Sequence, residues 1–340
     1  MSKRIIFCAD GTWDSPLEAT NVYGIFKAVT ISSNQIAFYD DGVGSDGTPL
    51  EQLTGGALGE GLFQKIRDGY TKIAHVYEQG DEIFIFGFSR GAFTARSLAG
   101  MIAICGLPTA NFDDNLVNIA FQAYRDQSRR AALLASLSSC SLFDAKMTMV
   151  GVWDTVGSLG IPALFGGIDE SIYGFLDTGL HPDILNAYHA LAIDERRQEF
   201  PPTLWIPPSP PVPTQVLEQV WFSGVHCDVG GGYPETGLSD ITFSWMLKKA
   251  LALGLQLDPG VVAQYASLDG LFALDTIHES WSPLWLFPKS RTVPDAASLS
   301  NSVAIRLQYD TSYQPANLKK PGGVLAGSYQ PVPVVKPPPA

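Results

Sequence analysis

Five short apolar runs punctuate the chain, and each ends in polar residues and glycine. They begin at residues 4, 35, 82, 148 and 219 and read RIIFCADGTW, QIAFYDDGVGS, EIFIFGFSRG, TMVGVWDTVG and QVWFSGVHCDVGGG. A continuous apolar run of this length is typical of a strand that is buried on both faces. The pattern therefore predicts five strands of a parallel sheet.

Segments whose apolar residues recur at helical spacing lie between some of these runs. Apolar residues recur at helical spacing before the third run and again after it: Leu62, Ile66, Tyr70, Ile73 and Tyr77, then Leu98, Met101, Ile102 and Cys105. Strands that alternate with helices predict an α/β fold, with a mostly parallel sheet and helices on both of its faces. In such a sheet the functional residues follow the carboxyl ends of the strands.

The composition supports one large domain. The chain has 340 residues, of which 46% are hydrophobic and 16% are charged, so it can bury a sizeable core. We expect a single domain over residues 1–317 and an extended proline-rich tail over 318–340. Residues 201–215 are also proline-rich and predict a loop. The irregular segment 160–183 is predicted to be a cap or lid, or a packed excursion.

Charge and cysteine content exclude several classes of protein. The formal net charge of −12 argues against a nucleic-acid partner and against electrostatic adsorption to anionic lipid, so any membrane contact has to be apolar. The four cysteines are scattered and indicate neither a zinc site nor a disulfide framework. Nucleotide-binding loops and metal-ligand clusters do not occur in the sequence, and we expect no cofactor and no metal.

The N-terminal residues indicate a cytoplasmic place of synthesis. Two basic residues lead directly into the first strand-like run, which is too short for a signal peptide. No apolar run reaches the 18 residues or so that a membrane-spanning helix needs.

The segment Gly87-Phe88-Ser89-Arg90-Gly91 matches the G-x-S-x-G pattern. A serine at a sharp turn between a strand and a helix is exposed at the top of the sheet, and flanking glycines let the two elements approach closely. An apolar strand precedes this segment and an amphipathic helix follows it, which is the context that the pattern requires. We therefore predict that Ser89 is a nucleophile and that Gly87 and Gly91 form its elbow.

A serine hydroxyl is a poor nucleophile at neutral pH and needs a base, most often a histidine. The chain has five histidines, and His226 is favoured because it ends an apolar run and precedes a glycine-rich turn. His278 is the alternative. His75 and His189 are predicted to lie in helices, and His181 lies in the irregular segment.

Asp154 is the predicted acid that orients the base, since it closes a strand-like run between the serine and the histidine. The order Ser89, Asp154, His226 is that of α/β-hydrolases. Asp228, two residues after His226, is the alternative acid.

The oxyanion hole is predicted to combine two backbone N–H groups. Arg90 supplies one, and Gly11 or Thr12 in the segment CADGTWD supplies the other. Asp10 is expected to hold that loop in place.

Several spaced segments together resemble one known family. They occur in the order FCADGTWD, TNVYGIFKAV, YDDGVGS, FGFSRGAFTAR, VGVWDTVGS and VWFSGVHCDVGGGY. Between about residues 3 and 250 the chain resembles the α/β-hydrolase domain in the first group of type VI secretion lipase effectors. The resemblance implies a triad of Ser89, Asp154 and His226. It also implies phospholipase activity on bacterial membrane lipids and export by that secretion system. The family segment that matches DERR, with FPPTLW, is expected to be structural.

The sequence thus predicts a carboxylic ester hydrolase that forms an acyl-enzyme, with lipid or phospholipid esters as its substrates. A small-molecule or polyester esterase and an inactive binding protein with the same fold are the alternatives. Only residues 160–183 and the segment IHESWSPLWLFPKSR (277–291) offer apolar surface for peripheral contact with a membrane.

Overall fold

The computed structural model describes residues 2–11, 19–42, 55–109, 112–137, 142–156, 178–285, 287–319, 325 and 327–338. Ten strands lie within these ranges: β1 (Arg4–Ala9), β2 (Gln35–Asp40), β3 (Glu82–Phe88), β4 (Leu107–Pro108), β5 (Leu142–Phe143), β6 (Met147–Trp153), β7 (Asn186–Ala192), β8 (Val216–Phe222), β9 (Ser298–Ser300) and β10 (Gln330–Val332).

The described helices follow the strands in alternation along much of the chain. They are α1 (Asn21–Ala28), α2 (Gly55–Ala74), α3 (Ser89–Cys105), α4 (Asp114–Arg125), α5 (Arg130–Leu137), α6 (His226–Gly230), α7 (Gly237–Ala252), α8 (Pro259–Tyr265) and α9 (Asn301–Tyr309). Two short 3₁₀ helices cover Gly270–Leu274 and Pro283–Trp285.

Eight of the strands form one central sheet in the order β10-β9-β8-β7-β6-β3-β1-β2. The strand pairs described in this sheet are parallel, whereas β4 and β5 form a separate antiparallel ribbon. The prediction of an α/β-hydrolase-like fold with a mostly parallel sheet is confirmed. The five apolar runs correspond to β1, β2, β3, β6 and β8.

Helices cover both faces of the sheet, and the strand residues divide between two cores. In β1, Ile5 and Phe7 pack on the side of α2, α3 and α4, while Ile6 and Cys8 pack on the side of α1 and α7. All four side chains are fully buried. Burial on both faces explains why the strand sequences are apolar throughout instead of alternating with polar residues.

The helical prediction for His189 is wrong. His189 lies in β7, between β6 and β8, and its side chain is fully buried. The strand sequence NAYHALA contains alanines and no β-branched residue, so its local preference favours a helix. Pairing with both neighbouring strands overrides that preference.

The prediction of a tail outside the domain is also wrong for the part that the structure describes. β10 pairs with β9 at the edge of the central sheet. Leu318, Tyr329 and Val334 are each less than 10% exposed. The Asn301 side chain binds the backbone of residues 334 and 335 through both its oxygen and its nitrogen. The tail packs against the domain because its apolar residues cover the sheet. Its prolines are compatible with this position because an edge strand tolerates proline.

The predicted lid, residues 160–183, falls mostly within the stretch 157–177, which lies outside the described residues. Past that gap, Leu180 is buried, and its N–H donates to the carbonyl oxygen of Ile206 at 2.9 Å. Ile206 belongs to the proline-rich segment 201–215, which contains no named helix or strand and leads into β8.

Candidate active site

Polar residues from distant parts of the sequence follow the carboxyl ends of neighbouring strands. Asp10 follows β1, Ser89 follows β3, Asp154 follows β6, Glu195 lies just beyond β7, and His226 lies just beyond β8. The strands are parallel, so these ends meet at one edge of the sheet. Ligand sites of open α/β sheets lie at this edge.

Ser89 occupies a strained turn at the start of α3. Its φ angle is 56°, in the left-handed region that residues with a side chain rarely adopt. A Cβ atom at Gly91 would lie less than 3.0 Å from the carbonyl oxygens of Ala9 and Asp10, and one at Gly87 would lie equally close to the Gly91 carbonyl. Only glycine therefore allows β1, β3 and α3 to approach this closely. The N-terminus of α3, with its partial positive charge, is directed at the serine.

Asp154 is held against β7 in a second left-handed turn. Its φ angle is 42° and its side chain is fully buried. Its N–H donates to the Ala190 carbonyl at 2.8 Å, and its Oδ1 accepts from the Ala192 N–H at 3.0 Å. The backbone of β7 thus fixes both the main chain and the carboxylate of Asp154.

The structure brings Asp154 and His226 into contact. Oδ2 of Asp154 lies 2.6 Å from Nδ1 of His226. Burial alone would raise the pKa of Asp154, but the charge of Arg291 and the hydrogen bond with His226 hold that pKa well below its usual value. An ionised carboxylate only accepts hydrogen bonds, so Nδ1 of His226 carries the proton and Nε2 presents its lone pair.

Two aromatic rings enclose the imidazole of His226. The ring of Phe88, the residue before Ser89, lies 4.6 Å from the imidazole centroid, and the ring of Phe200 lies 5.1 Å from it edge-on. His226 is 4% exposed. This burial lowers the pKa of His226, although Asp154 opposes the shift. The imidazole is therefore neutral at pH 7, as a general base has to be.

His278 and Asp228, the alternative base and acid, form a separate pair. Nδ1 of His278 lies 2.6 Å from Oδ1 of Asp228, and Nε2 lies 3.1 Å from Oε2 of Glu235. The imidazole also stacks on Tyr233, with 3.8 Å between the ring centroids. Both ring nitrogens of His278 thus have carboxylate partners. Asp228 accepts the N–H of Val225 at 2.9 Å and so stabilises the start of α6.

Arg291 binds the carboxylate of Asp154 and is a residue that the sequence analysis missed. Its Nη1 lies 2.6 Å from Oδ1 of Asp154, and its Nη2 lies 2.8 Å from Oδ2. The Arg291 side chain is 3% exposed. Nothing in the local sequence KSRTVPD marks this arginine. Its importance comes from a partner 137 positions earlier in the chain.

Glu195 is a second residue near the site, and the sequence predicts no functional role for it. It lies in the DERR segment, which we expected to be structural, and it is fully buried. Its carboxylate accepts the backbone N–H of His226 at 3.2 Å and forms an ion pair with Arg197 at 2.9 Å. Burial alone would raise the pKa of Glu195, but its bonds with Arg197 lower that pKa to about 2. Glu195 therefore holds the His226 loop as a carboxylate anion.

The predicted oxyanion donors have unequal support. The N–H of Gly11 donates to Oδ1 of Asp10 at 2.9 Å, which leaves the prediction for Gly11 without support. Thr12 lies outside the described residues. Arg90 is the second residue of α3, so its N–H belongs to the first turn of that helix. Asp10 itself is fixed, because its Oδ2 accepts from Thr20 at 2.5 Å and from Tyr39 at 2.7 Å. The rest of its segment, residues 12–14, lies outside the described residues.

A polar cavity of about 500 Å³ lies beside the His226 loop. Asp194, Val225, His278, Arg306 and Tyr313 are among its lining residues, whereas Ser89 and His226 are not. The cavity therefore includes neither the predicted nucleophile nor the predicted base.

A glycine-flanked serine on a strand-to-helix turn, within a parallel sheet, defines an α/β-hydrolase-like protein. The chain belongs to the family described as "T6SS, Phospholipase effector Tle1-like, catalytic domain", whose model matches residues 3–249. The resemblance found in the sequence is thereby confirmed, and the family implies an esterase or lipase. Arg291 lies beyond the matched residues.

Two further proteins are similar to this chain. The chain is 30% identical over 424 aligned residues to the Saccharomyces cerevisiae protein described as "Uncharacterized protein YEL023C". The alignment covers 80% of this chain and 61% of the yeast protein. A structure described as "Crystal structure of an uncharacterized protein from Pseudomonas aeruginosa" is 16% identical, with a TM-score of 0.49. That match covers 78% of this chain and 48% of the other. Within the described ranges, no helix has the length and apolar character needed to cross a membrane.

Proposed function

We propose that this protein hydrolyses the acyl esters of lipids through an acyl-enzyme on Ser89, and that phospholipids are its main substrates. The observation that carries the proposal is the 2.6 Å bond between buried Asp154 and His226, at the same edge of the sheet as the glycine-flanked serine. Ester hydrolysis by a serine requires a base that is neutral and correctly oriented.

In the first half of the reaction, Nε2 of His226 takes the proton from the hydroxyl of Ser89 while Oγ attacks the ester carbonyl carbon. The tetrahedral intermediate then collapses, the bond to the alcohol oxygen breaks, and His226 returns the proton to the departing alcohol. In the second half, water gives a proton to His226 and attacks the acyl-enzyme. The second tetrahedral intermediate collapses, the bond between the acyl carbon and Oγ breaks, His226 returns the proton to Oγ of Ser89, and the fatty acid is released.

Asp154 and the start of α3 support the charges that develop. Asp154 keeps Nδ1 of His226 protonated and stabilises the imidazolium that forms during each proton transfer. The N–H of Arg90, in the first turn of α3, and that of Thr12 are the proposed donors to the oxyanion. Losing one such donor costs about 10²–10³ in rate.

Two observations favour a lipid as the substrate. The family is described as that of a phospholipase effector of type VI secretion, which also supports export of this protein by that system. In addition, aromatic side chains pack beside His226. Phe200 contacts both His226 and Trp285, and Phe287, two residues later, is 76% exposed. An exposed phenylalanine in this position can contact acyl chains or a membrane surface.

Hydrolysis of p-nitrophenyl esters of increasing acyl length, with and without phospholipid vesicles, tests the proposal. Wild type should prefer long chains and release fatty acid from the vesicles. Ser89→Ala should lose at least about 10⁴-fold in kcat, with an unchanged circular dichroism spectrum. His278→Gln is the matched control and should remain active, since its imidazole has other partners.

Each contrary outcome removes a different part of the proposal. Activity of Ser89→Ala equal to wild type would exclude the mechanism. A short-chain preference that ignores vesicles would identify a small-molecule or polyester esterase. A folded wild-type protein that hydrolyses no ester would identify an inactive member of the fold that acts by binding.

A further inference from the structure

We propose that Arg291 is a positioning residue of the triad, which locks the Asp154 carboxylate in place and offsets its negative charge. The inference rests on the proposed function, in which Asp154 orients His226. It assigns a catalytic consequence to a residue beyond the part of the chain that the family model matches, 3–249.

The guanidinium of Arg291 is fully satisfied. An arginine has five N–H donors. In this structure Arg291 makes five hydrogen bonds, two to the carboxylate of Asp154 and three to the carbonyl oxygens of Ala192 and Phe200. A planar guanidinium held at every donor leaves the carboxylate one orientation, with Oδ2 facing His226. The three donors of a lysine could not reproduce this arrangement.

Arg291 also completes a balance of charge around His226. Asp154 and Glu195 are the carboxylates that act on the imidazole, and Arg197 is a guanidinium that opposes them. Arg291, bonded to both oxygens of Asp154, supplies the second guanidinium. The two guanidiniums thus oppose the effect of the two carboxylates on the imidazole. Burial then dominates and lowers the pKa of His226.

The consequence is a base that stays neutral in mildly acidic solution. Without Arg291, two carboxylates would face one guanidinium, and the imidazolium form of His226 would become more stable. The pKa of His226 would rise, and the enzyme would lose activity at a higher pH as the solution is acidified.

The dependence of kcat/KM on pH, measured with a soluble p-nitrophenyl ester, tests the inference. In Arg291→Gln the acid limb should move up by about one pH unit. In Arg291→Lys the acid limb should stay near that of wild type, because the positive charge remains. The kcat should fall by at least tenfold, because lysine cannot make the two parallel hydrogen bonds that arginine makes to the carboxylate.

Arg306→Gln is the matched control. Arg306 is also a buried arginine of the C-terminal region and also donates to backbone carbonyls, those of Ala273 and Asp275. It forms no described bond with Asp154. Its substitution should therefore leave the acid limb in place. An equal upward shift in Arg306→Gln and Arg291→Gln would assign the effect to general loosening of the C-terminal region and overturn the inference.

Histidine NMR separates this inference from the proposed function. The His226 ring signal, assigned by comparison with His226→Gln, is titrated in the Ser89→Ala background, where no turnover occurs. The pKa of His226 should rise by about one unit when Arg291→Gln is added. An unchanged pKa in a folded protein overturns the inference, whatever the enzyme hydrolyses. If Arg291→Gln does not fold, the kcat of Arg291→Lys tests the inference instead. A wild-type kcat in that variant would contradict a positioning role.

Discussion

Replacing Asp154 by asparagine disturbs the site more than its small change in shape suggests. The carboxylate accepts four hydrogen bonds, from the Ala192 N–H, from Nδ1 of His226 and from two nitrogens of Arg291. An asparagine amide offers one acceptor oxygen and one NH₂ donor. If the oxygen keeps Ala192 and Nη1 of Arg291, then the NH₂ group faces His226 and Nη2 of Arg291. Its contact with Nη2 is then between two donors, and so is its contact with Nδ1 of His226 unless the imidazole proton moves to Nε2.

Both the stability and the rate should fall in Asp154→Asn. The site is fully buried, so water cannot compensate the guanidinium that loses its counter-charge. Removing one partner of a buried ion pair costs about 3–5 kcal/mol of unfolding free energy. The amide NH₂ also favours the tautomer of His226 with its proton on Nε2, which cannot accept from Ser89. The expected loss in kcat is about 10⁴-fold, or about 5 kcal/mol of barrier.

Urea denaturation and ester hydrolysis, measured on Asp154→Asn and on the double variant Asp154→Asn/Arg291→Met, separate the two effects. Removing the unpaired guanidinium should restore at least half of the lost stability without restoring activity. Stability losses that simply add in the double variant would refute the ion pair as the cause. A single variant with a wild-type kcat would refute the role of Asp154.

Two further substitutions test the elbow and the core. Gly91→Ala should lower stability by about 1–3 kcal/mol and reduce hydrolysis, because the added Cβ meets the Ala9 carbonyl; Gly327→Ala, with open space around it, should do neither. His189→Gln should make the free energy of unfolding depend less steeply on pH in acidic solution. Burial lowers the pKa of His189 to about 3, so only the unfolded chain binds its proton between that pH and about 6.5. Wild type should lose up to about 1.4 kcal/mol per pH unit there on acidification. Equal slopes would contradict this account.

The sheet could be predicted from the sequence wherever the strand residues carry their own signal. β1, β3 and β6 are continuous apolar runs, so burial on both faces is visible in the residues themselves. β7 lacks that signal because its conformation depends on pairing with its neighbours. The C-terminal segment lacks a strand signal for a similar reason, since proline content hides a short edge strand such as β10.

The contact between Asp154 and His226 could be anticipated because both follow strands whose carboxyl ends meet at one edge. The residues that bind and orient that pair could not be anticipated from the sequence. Arg291 and Glu195 act through burial and through partners 137 and 31 positions away, and neither has a local motif. Chain order predicts which strand ends meet, but it does not show which distant side chain neutralises a buried charge.

The most direct test of the central claim is a covalent trap of the nucleophile. Purified protein is treated with a fluorophosphonate, and the modified peptide is identified by mass spectrometry. The account predicts one adduct, on Ser89, that forms in wild type and in His278→Gln and is nearly abolished in His226→Gln. An adduct on another residue, or equal labelling of Ser89 without His226, would contradict it.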